Sequence, residues 1–210
     1  PGHGTSSHTS FTWESASATV HSAAAWFWPE KPVLIGLSLG AATAMYAAQR
    51  QPNSFAGLIL SGAGVCWNDR YVRSGMTVAA ALGAFSASVG RREPLAHAAG
   101  IRGREIVTAA RTVDVAPAQL WRAARELAQF DARNTPPPPI PSTVIVLTDD
   151  RRMPPGLQRA LVRYLGCPYV DVDADHDAPV RHAARFSDAV QTALMLLGDV
   201  DPPRGTGRPQ

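Results

Sequence analysis

Apolar and polar positions along the chain fall into short buried runs separated by helical stretches. Pro32-Val33-Leu34-Ile35 predicts a short buried strand, and Phe55-Ala56-Gly57-Leu58-Ile59-Leu60 a second. Ser142-Thr143-Val144-Ile145-Val146-Leu147-Thr148 is the strongest strand pattern in the sequence, and Tyr169–Val172 predicts a fourth. Helical spacing opens at Phe11-Thr12-Trp13-Glu14, with Thr12 as N-cap, and runs to about Phe27 before Pro29 stops it. Ala41–Gln49 is dense in helix formers and is closed by Pro52; Gly156–Leu165 and Val180–Leu197 predict two more helices. Helices alternating with strands favour parallel pairing, hence an α/β fold: a mostly parallel sheet flanked by helices.

Residues 65–135 depart from that alternation. They are rich in Ala and Arg, with helix candidates at Met76–Phe85, Gly103–Arg111 and Pro117–Phe130 and no clear strand. The last carries Leu120, Trp121, Ala124, Leu127 and Ala128 at helical spacing behind a first-turn proline. This block predicts a helical cap inserted between two strands of the sheet. Pro136–Pro139 is a stiff extended connector that returns the chain to the core. The expected organisation is a core first part over 1–64, cap and connector over 65–139, core second part over 140–198, and a disordered Pro/Gly/Arg tail over 199–210.

Composition narrows the class. With 210 residues, 45% hydrophobic and 18% charged, the chain suits one globular domain with a real core. No apolar run is long enough to span a bilayer, and no signal peptide is visible. The net charge of +3 comes from arginine, since Lys31 is the one lysine. The arginines are scattered rather than striped, and no basic helix is interleaved with aromatics, which argues against nucleic-acid binding. Cys66 and Cys167 lack metal or redox spacing; reduced thiols and a cytoplasmic setting are the expectation. The first residue is Pro rather than Met, so the chain is expected to be processed, trimmed or a fragment.

Chemistry enters at Gly36-Leu37-Ser38-Leu39-Gly40, which stands between the first strand and its helix. A G-x-S-x-G arises by chance on the order of 0.1 times in such a chain. Strand before and helix after are what make it a site: the serine then sits on a sharp turn with its hydroxyl exposed above the sheet. The expectation is that both glycines are required because side chains would collide in so tight a bend. A serine nucleophile needs a base and a group to orient it, and such residues collect in loops at the carboxyl ends of parallel strands. The candidates are Asp149 or Asp150 after the third strand, and His176 or His182 after the fourth. His182 falls one or two turns into the last predicted helix, where a histidine is usually just solvated, so His176 leads. Asp173, Asp175 and Asp177 crowd His176 with negative charge, expected to raise its pKa. The spacing of these carboxylates and histidines matches no metal-ligand motif.

In this order of serine, acid and histidine the sequence resembles the α/β-hydrolase superfamily, in its capped esterase, lipase and peroxidase-like branch. Gly36–Gly40 resembles the nucleophile elbow, and Pro1-Gly2-His3-Gly4-Thr5-Ser6 the loop D-x-P-G-H-G-x-S after the family's fourth strand. Asp150-Arg151-Arg152-Met153-Pro154 is similar to the D-x-x-V-P acid loop, which favours Asp150 over Asp149. His176, followed ten residues later by Phe186, resembles the final His loop and its helix. Leu37 stands where the family has His or Tyr, and Asp175 where it has Gly. The chain starts where the family has already built four strands, so the expected fold is an N-terminally truncated α/β-hydrolase without one of its two oxyanion amides.

The resemblance implies a catalytic set of Ser38 as nucleophile, His176 as base, Asp150 as orienting acid and the Leu39 amide as oxyanion donor. It implies no cofactor and no metal, and a small-molecule ester or related acyl substrate. Trp67, Tyr71, Met76, Phe85 and Trp121 would line an apolar lid or form the core of the cap. Perhydrolase, thioesterase or carbon–carbon hydrolase chemistry would use the same residues, and a non-catalytic module of the same fold, or a fragment unable to complete the site, is the reading of another class.

Overall fold

Strands form where the apolar runs fall. β1 (Val33–Leu37), β2 (Gly57–Ser61), β3 (Ser142–Leu147) and β4 (Tyr169–Val172) pair in that order, every neighbour parallel. Among the described residues the α-helices are α1 (Trp13–Ala25), α2 (Leu39–Arg50), α3 (Pro117–Gln129), α4 (Pro155–Leu165), α5 (Ala178–Arg181) and α6 (Ala183–Leu196). This computed structural model describes residues 1–2, 4–6, 8–67 and 117–198. The predicted helices Met76–Phe85 and Gly103–Arg111, the residues His3, Tyr71, Met76, Phe85 and His97, and the tail 199–210 lie outside the described residues, as does the side chain of Trp121.

Two units emerge, residues 1–19 with 66–131 and residues 20–65 with 132–210. In the first, Trp13 packs between Phe11 and Phe130, at ring-centroid distances of 5.4 and 4.9 Å. Cys66 bridges Asp131 in antiparallel fashion, and the backbone N–H of buried Trp67 donates to the carbonyl of Phe130. Thr12 caps α1 as the sequence predicts. Its Oγ1 accepts from the N–H of Ser15, and the Ser15 hydroxyl oxygen accepts from the N–H of Thr12, both at 3.0 Å. This is a reciprocal capping box with serine in the usual Glu/Gln place.

The second unit holds the sheet. β2 and β3 are buried at every position, as central parallel strands covered on both faces must be. On one face Ile59, Ile145, Leu147 and Val172 pack with Ala178, Ala189, Ala193 and Leu197 from the last helices. Each large aliphatic removed from water there stabilises the fold by about 1.5–3 kcal/mol. α2 approaches β1 and β2 closely because Ala41, Ala42, Ala44, Ala47 and Ala48 keep its buried side low, with Met45 filling the remaining space. Where the chain returns to the sheet, Tyr164 and Gln49 hydrogen-bond the carbonyls of Ala132 and Thr135.

One predicted helix is corrected. The expected last helix, Val180–Leu197, is two: α5 ends at Arg181, and His182, at φ −131° and ψ 43°, breaks the path before α6. His182 is therefore an exposed junction residue and not part of a helix interior.

His21 of α1 stacks on Phe55 with ring centroids 5.2 Å apart. Burial holds its pKa below 6.5, partly opposed by its approach to the backbone of Ala47. The unfolded chain then binds the proton more readily, so stability is full above pH 6.5 and falls as pH drops through the depressed folded value. A His21→Phe chain keeps the stack and removes the titration. Urea midpoints measured from pH 7.5 to 5.5 should fall less in the variant than in the unmodified chain; equal slopes would contradict the assignment.

Candidate active site

Ser38 follows β1 directly and opens α2. Its backbone sits at φ 55°, ψ −120°, the one positive φ outside glycine among the described residues. Such strain persists only where the surroundings impose it, and it clusters at functional sites. The Ser38 N–H donates to the carbonyl of Ser61 (3.0 Å), and its own carbonyl accepts from Ala41 and Ala42 as α2 begins. Leu39 is the first helical residue, so its N–H has no partner within the helix and lies at the positive end of the helix dipole.

The two glycines of the motif differ. A Cβ on Gly36 would lie 2.6 Å from the Gly40 carbonyl oxygen and the Ala41 Cα, and 2.7 Å from the Ala41 nitrogen. All three are backbone, so nothing can move aside cheaply. Outside its chain neighbours and its own helix turn, no described atom lies within 4 Å of a Cβ on Gly40, so among the described residues the expected collision is met at Gly36 and not at Gly40. Gly36→Ala should destabilise the chain by about 3 kcal/mol or more, the top of the range for overpacked cores. Gly40→Ala, within the first turn of α2, should be neutral or stabilising by up to about 1 kcal/mol. Thermal melts of the two variants check this; equal losses would contradict it.

Asp150 and His176 meet in the loops after β3 and β4. The His176 Nδ1 lies 2.7 Å from the Asp150 Oδ2, with both residues buried. A carboxylate only accepts, so Nδ1 carries the proton and Nε2 is left for a reacting group. Asp150 is fixed by its other oxygen, which accepts from the N–H groups of Arg152 (2.8 Å) and Met153 (2.9 Å). Asp149, its neighbour, is exposed and bonds Ala174 through its backbone. The His176 ring lies over Gly62, at the carboxyl end of β2. A Cβ there would stand 3.1 Å from the His176 Cε1 and 3.2 Å from the Leu37 Cδ1, and Gly62 takes φ +57°. Ser38 and His176 thus flank the same Ser61-Gly62 corner.

The aspartates that crowd His176 in sequence are each met by an arginine. Asp177 pairs with Arg152, Asp175 with Arg181 at 2.8 Å, and Asp173 stands 3.9 Å from Arg185. No group of three or more His, Cys, Asp or Glu among the described residues is placed to hold a metal ion. Cys66 and Cys167 are free and half-buried, and burial pushes the Cys167 thiol up to about 11, which leaves it unreactive. No helix among the described residues is long and apolar enough to cross a membrane.

Sequence reasoning missed Gln158. Fully buried in α4, it donates through Nε2 to the carbonyls of Met153 (2.7 Å) and Leu147 (3.2 Å) and, at 3.4 Å, to the Asp150 Oδ2. Its Oε1 accepts from the N–H of Leu147 (3.0 Å). The available signal was a glutamine three residues before Leu161, on the face of the helix that turns inward.

The model of the alpha/beta hydrolase family matches residues 1–189. No curated protein matches the sequence. Among solved structures, MGS-M2, an alpha/beta hydrolase enzyme from a Medee basin deep-sea metagenome library, aligns with a TM-score of 0.70 at 14% identity, over 89% of this chain and 73% of that one. A thermophilic esterase from Thermogutta terrifontis aligns at TM-score 0.65 and 20% identity, over 90% and 74%. The enol-lactonase from Burkholderia xenovorans LB400 aligns at 0.61 and 21%, over 88% and 74%. At these identities the likeness is one of fold.

Proposed function

We propose, from the premise that this chain belongs to the alpha/beta hydrolase family, that it is a serine hydrolase acting on a carboxylic ester or related acyl substrate. The observation that carries the reading is the strained Ser38 at the carboxyl end of β1, on the same end of the sheet as the buried, hydrogen-bonded Asp150–His176 pair that follows β3 and β4.

The Ser38 hydroxyl attacks the acyl carbonyl while the His176 Nε2 takes its proton. Asp150 keeps the ring in the right tautomer and offsets the imidazolium charge. The tetrahedral oxyanion takes the N–H of Leu39, a donor of a kind worth about 3 kcal/mol of transition-state stabilisation. His176 returns the proton to the leaving alcohol, and the acyl group stays on Ser38 as an ester. Water, deprotonated by His176, then attacks that ester and releases the acid and the free serine. The free thiols of Cys66 and Cys167 support a reducing, cytoplasmic setting.

Mixing the chain with p-nitrophenyl acetate in a stopped-flow instrument tests the covalent step. The expected result is a burst of p-nitrophenolate equal to the enzyme concentration, with an acetyl group on the peptide containing Ser38. Linear release with no acylated peptide would refute the covalent step. Turnover on a panel of esters, thioesters, lactones and carbon–carbon substrates then separates the acyl donors.

A further inference from the structure

We propose that the Arg152–Asp177 ion pair is the clamp that holds His176 against Asp150, so that Arg152 is a positioning residue for the hydrolysis proposed above, on which this role rests. Asp150 and His176 belong to separate loops, and loops at sheet ends are the mobile part of such folds. Ahead of the pair the two loops are stitched by backbone bonds, Thr148 N–H to the Val172 carbonyl (2.9 Å) and Asp149 N–H to the Ala174 carbonyl (3.1 Å). Beyond the pair the stitch is a side-chain one: the two terminal nitrogens of Arg152 donate to the two oxygens of Asp177, each at 3.0 Å.

The position of Arg152 gives that bond its consequence. Its backbone N–H grips the Asp150 Oδ1 at 2.8 Å, while its guanidinium grips the residue that follows His176. Asp150, Arg152, Asp177 and His176 therefore close a ring through the 2.7 Å Nδ1–Oδ2 contact. A fork-to-fork pair fixes orientation as well as distance, which a lysine cannot do. Both side chains are more than a third exposed, so the pair adds little to global stability. Its effect is local. Without the guanidinium, the Asp177 carboxylate is freed beside His176 as a rival acceptor for the Nδ1 proton. The other charges near the ring, Asp175 with Arg181 and Asp173 with Arg185, remain matched.

Proton NMR of the chain reads the pair without any turnover, because an imidazole N–H bonded to a buried carboxylate gives a far-downfield, slowly exchanging resonance. Arg152→Gln should broaden or erase that resonance at temperatures where the amide spectrum is still that of the folded chain. Arg159→Gln, which removes the comparable exposed pair with Asp171, should leave it intact. Arg152→Lys should retain the resonance in weakened form and serves if the glutamine variant does not fold. On p-nitrophenyl acetate, Arg152→Gln and Asp177→Asn should each lower kcat about tenfold with KM within twofold, and the double variant should fall no further than the worse single. A resonance unchanged in Arg152→Gln, its absence from the unmodified chain, or losses that multiply in the double variant would overturn the clamp. A chain that turns over no ester yet loses the resonance in Arg152→Gln would keep the clamp and defeat the hydrolase reading instead.

Discussion

Ser38→Ala will lower kcat/KM on p-nitrophenyl acetate by about 10⁴-fold or more, with the folded state intact. The size of the loss follows from what the hydroxyl does. It is the atom that forms the covalent bond, and neither His176 nor the Leu39 N–H can substitute for it; what remains is binding and oxyanion stabilisation acting on water. The fold should survive because the φ 55° of Ser38 is imposed by the turn between β1 and α2 and its backbone bonds, not by the hydroxyl. Alanine in that conformation costs about 1–3 kcal/mol, as serine already does. Kinetics together with a thermal melt check both halves. Activity within tenfold of the unmodified chain would remove Ser38 from the mechanism.

Asp150→Asn carries the second large effect, about 10⁴-fold on kcat with KM little changed. The two backbone N–H groups of Arg152 and Met153 that now donate to the Asp150 Oδ1 will take the amide oxygen of the asparagine. Its NH2 group must then occupy the Oδ2 position and present a donor to the His176 Nδ1. A ring nitrogen facing a donor has to accept, so the proton moves to Nε2 and the ring can no longer take one from serine. The 3.4 Å approach of the Gln158 amide nitrogen opposes this orientation, but one long bond is outweighed by two short ones. Steady-state kinetics check the prediction, and a loss below tenfold would place the orienting acid elsewhere.

Much of this arrangement was legible before any coordinates. The strands could be read because β-branched and apolar residues cluster between turn formers, and β4 falls on the predicted Tyr169–Val172. Ser38 could be read from its glycines, and the loops of Asp150 and His176 from their places after strands. What stayed hidden depends on direction in space. The motif treats Gly36 and Gly40 alike, yet only the Cβ direction at Gly36 points into backbone. The helix break at His182 leaves no mark, because the apolar spacing continues through it. Asp173, Asp175 and Asp177 form one acidic run in sequence. In the folded chain the arginines that meet them come from three places, and one of them, Arg152, lies on a different loop. Gln158 is buried for a reason no spacing records: the end of β3 and the acid loop both offer it bonds.

Labelling with a fluorophosphonate probe followed by peptide mass spectrometry tests the central proposal most directly, because the probe reports an activated serine whatever the natural substrate. The expected result is one phosphonyl adduct per chain on Ser38, lost in the Asp150→Asn variant. An unlabelled chain, or an adduct on any other residue, would contradict it.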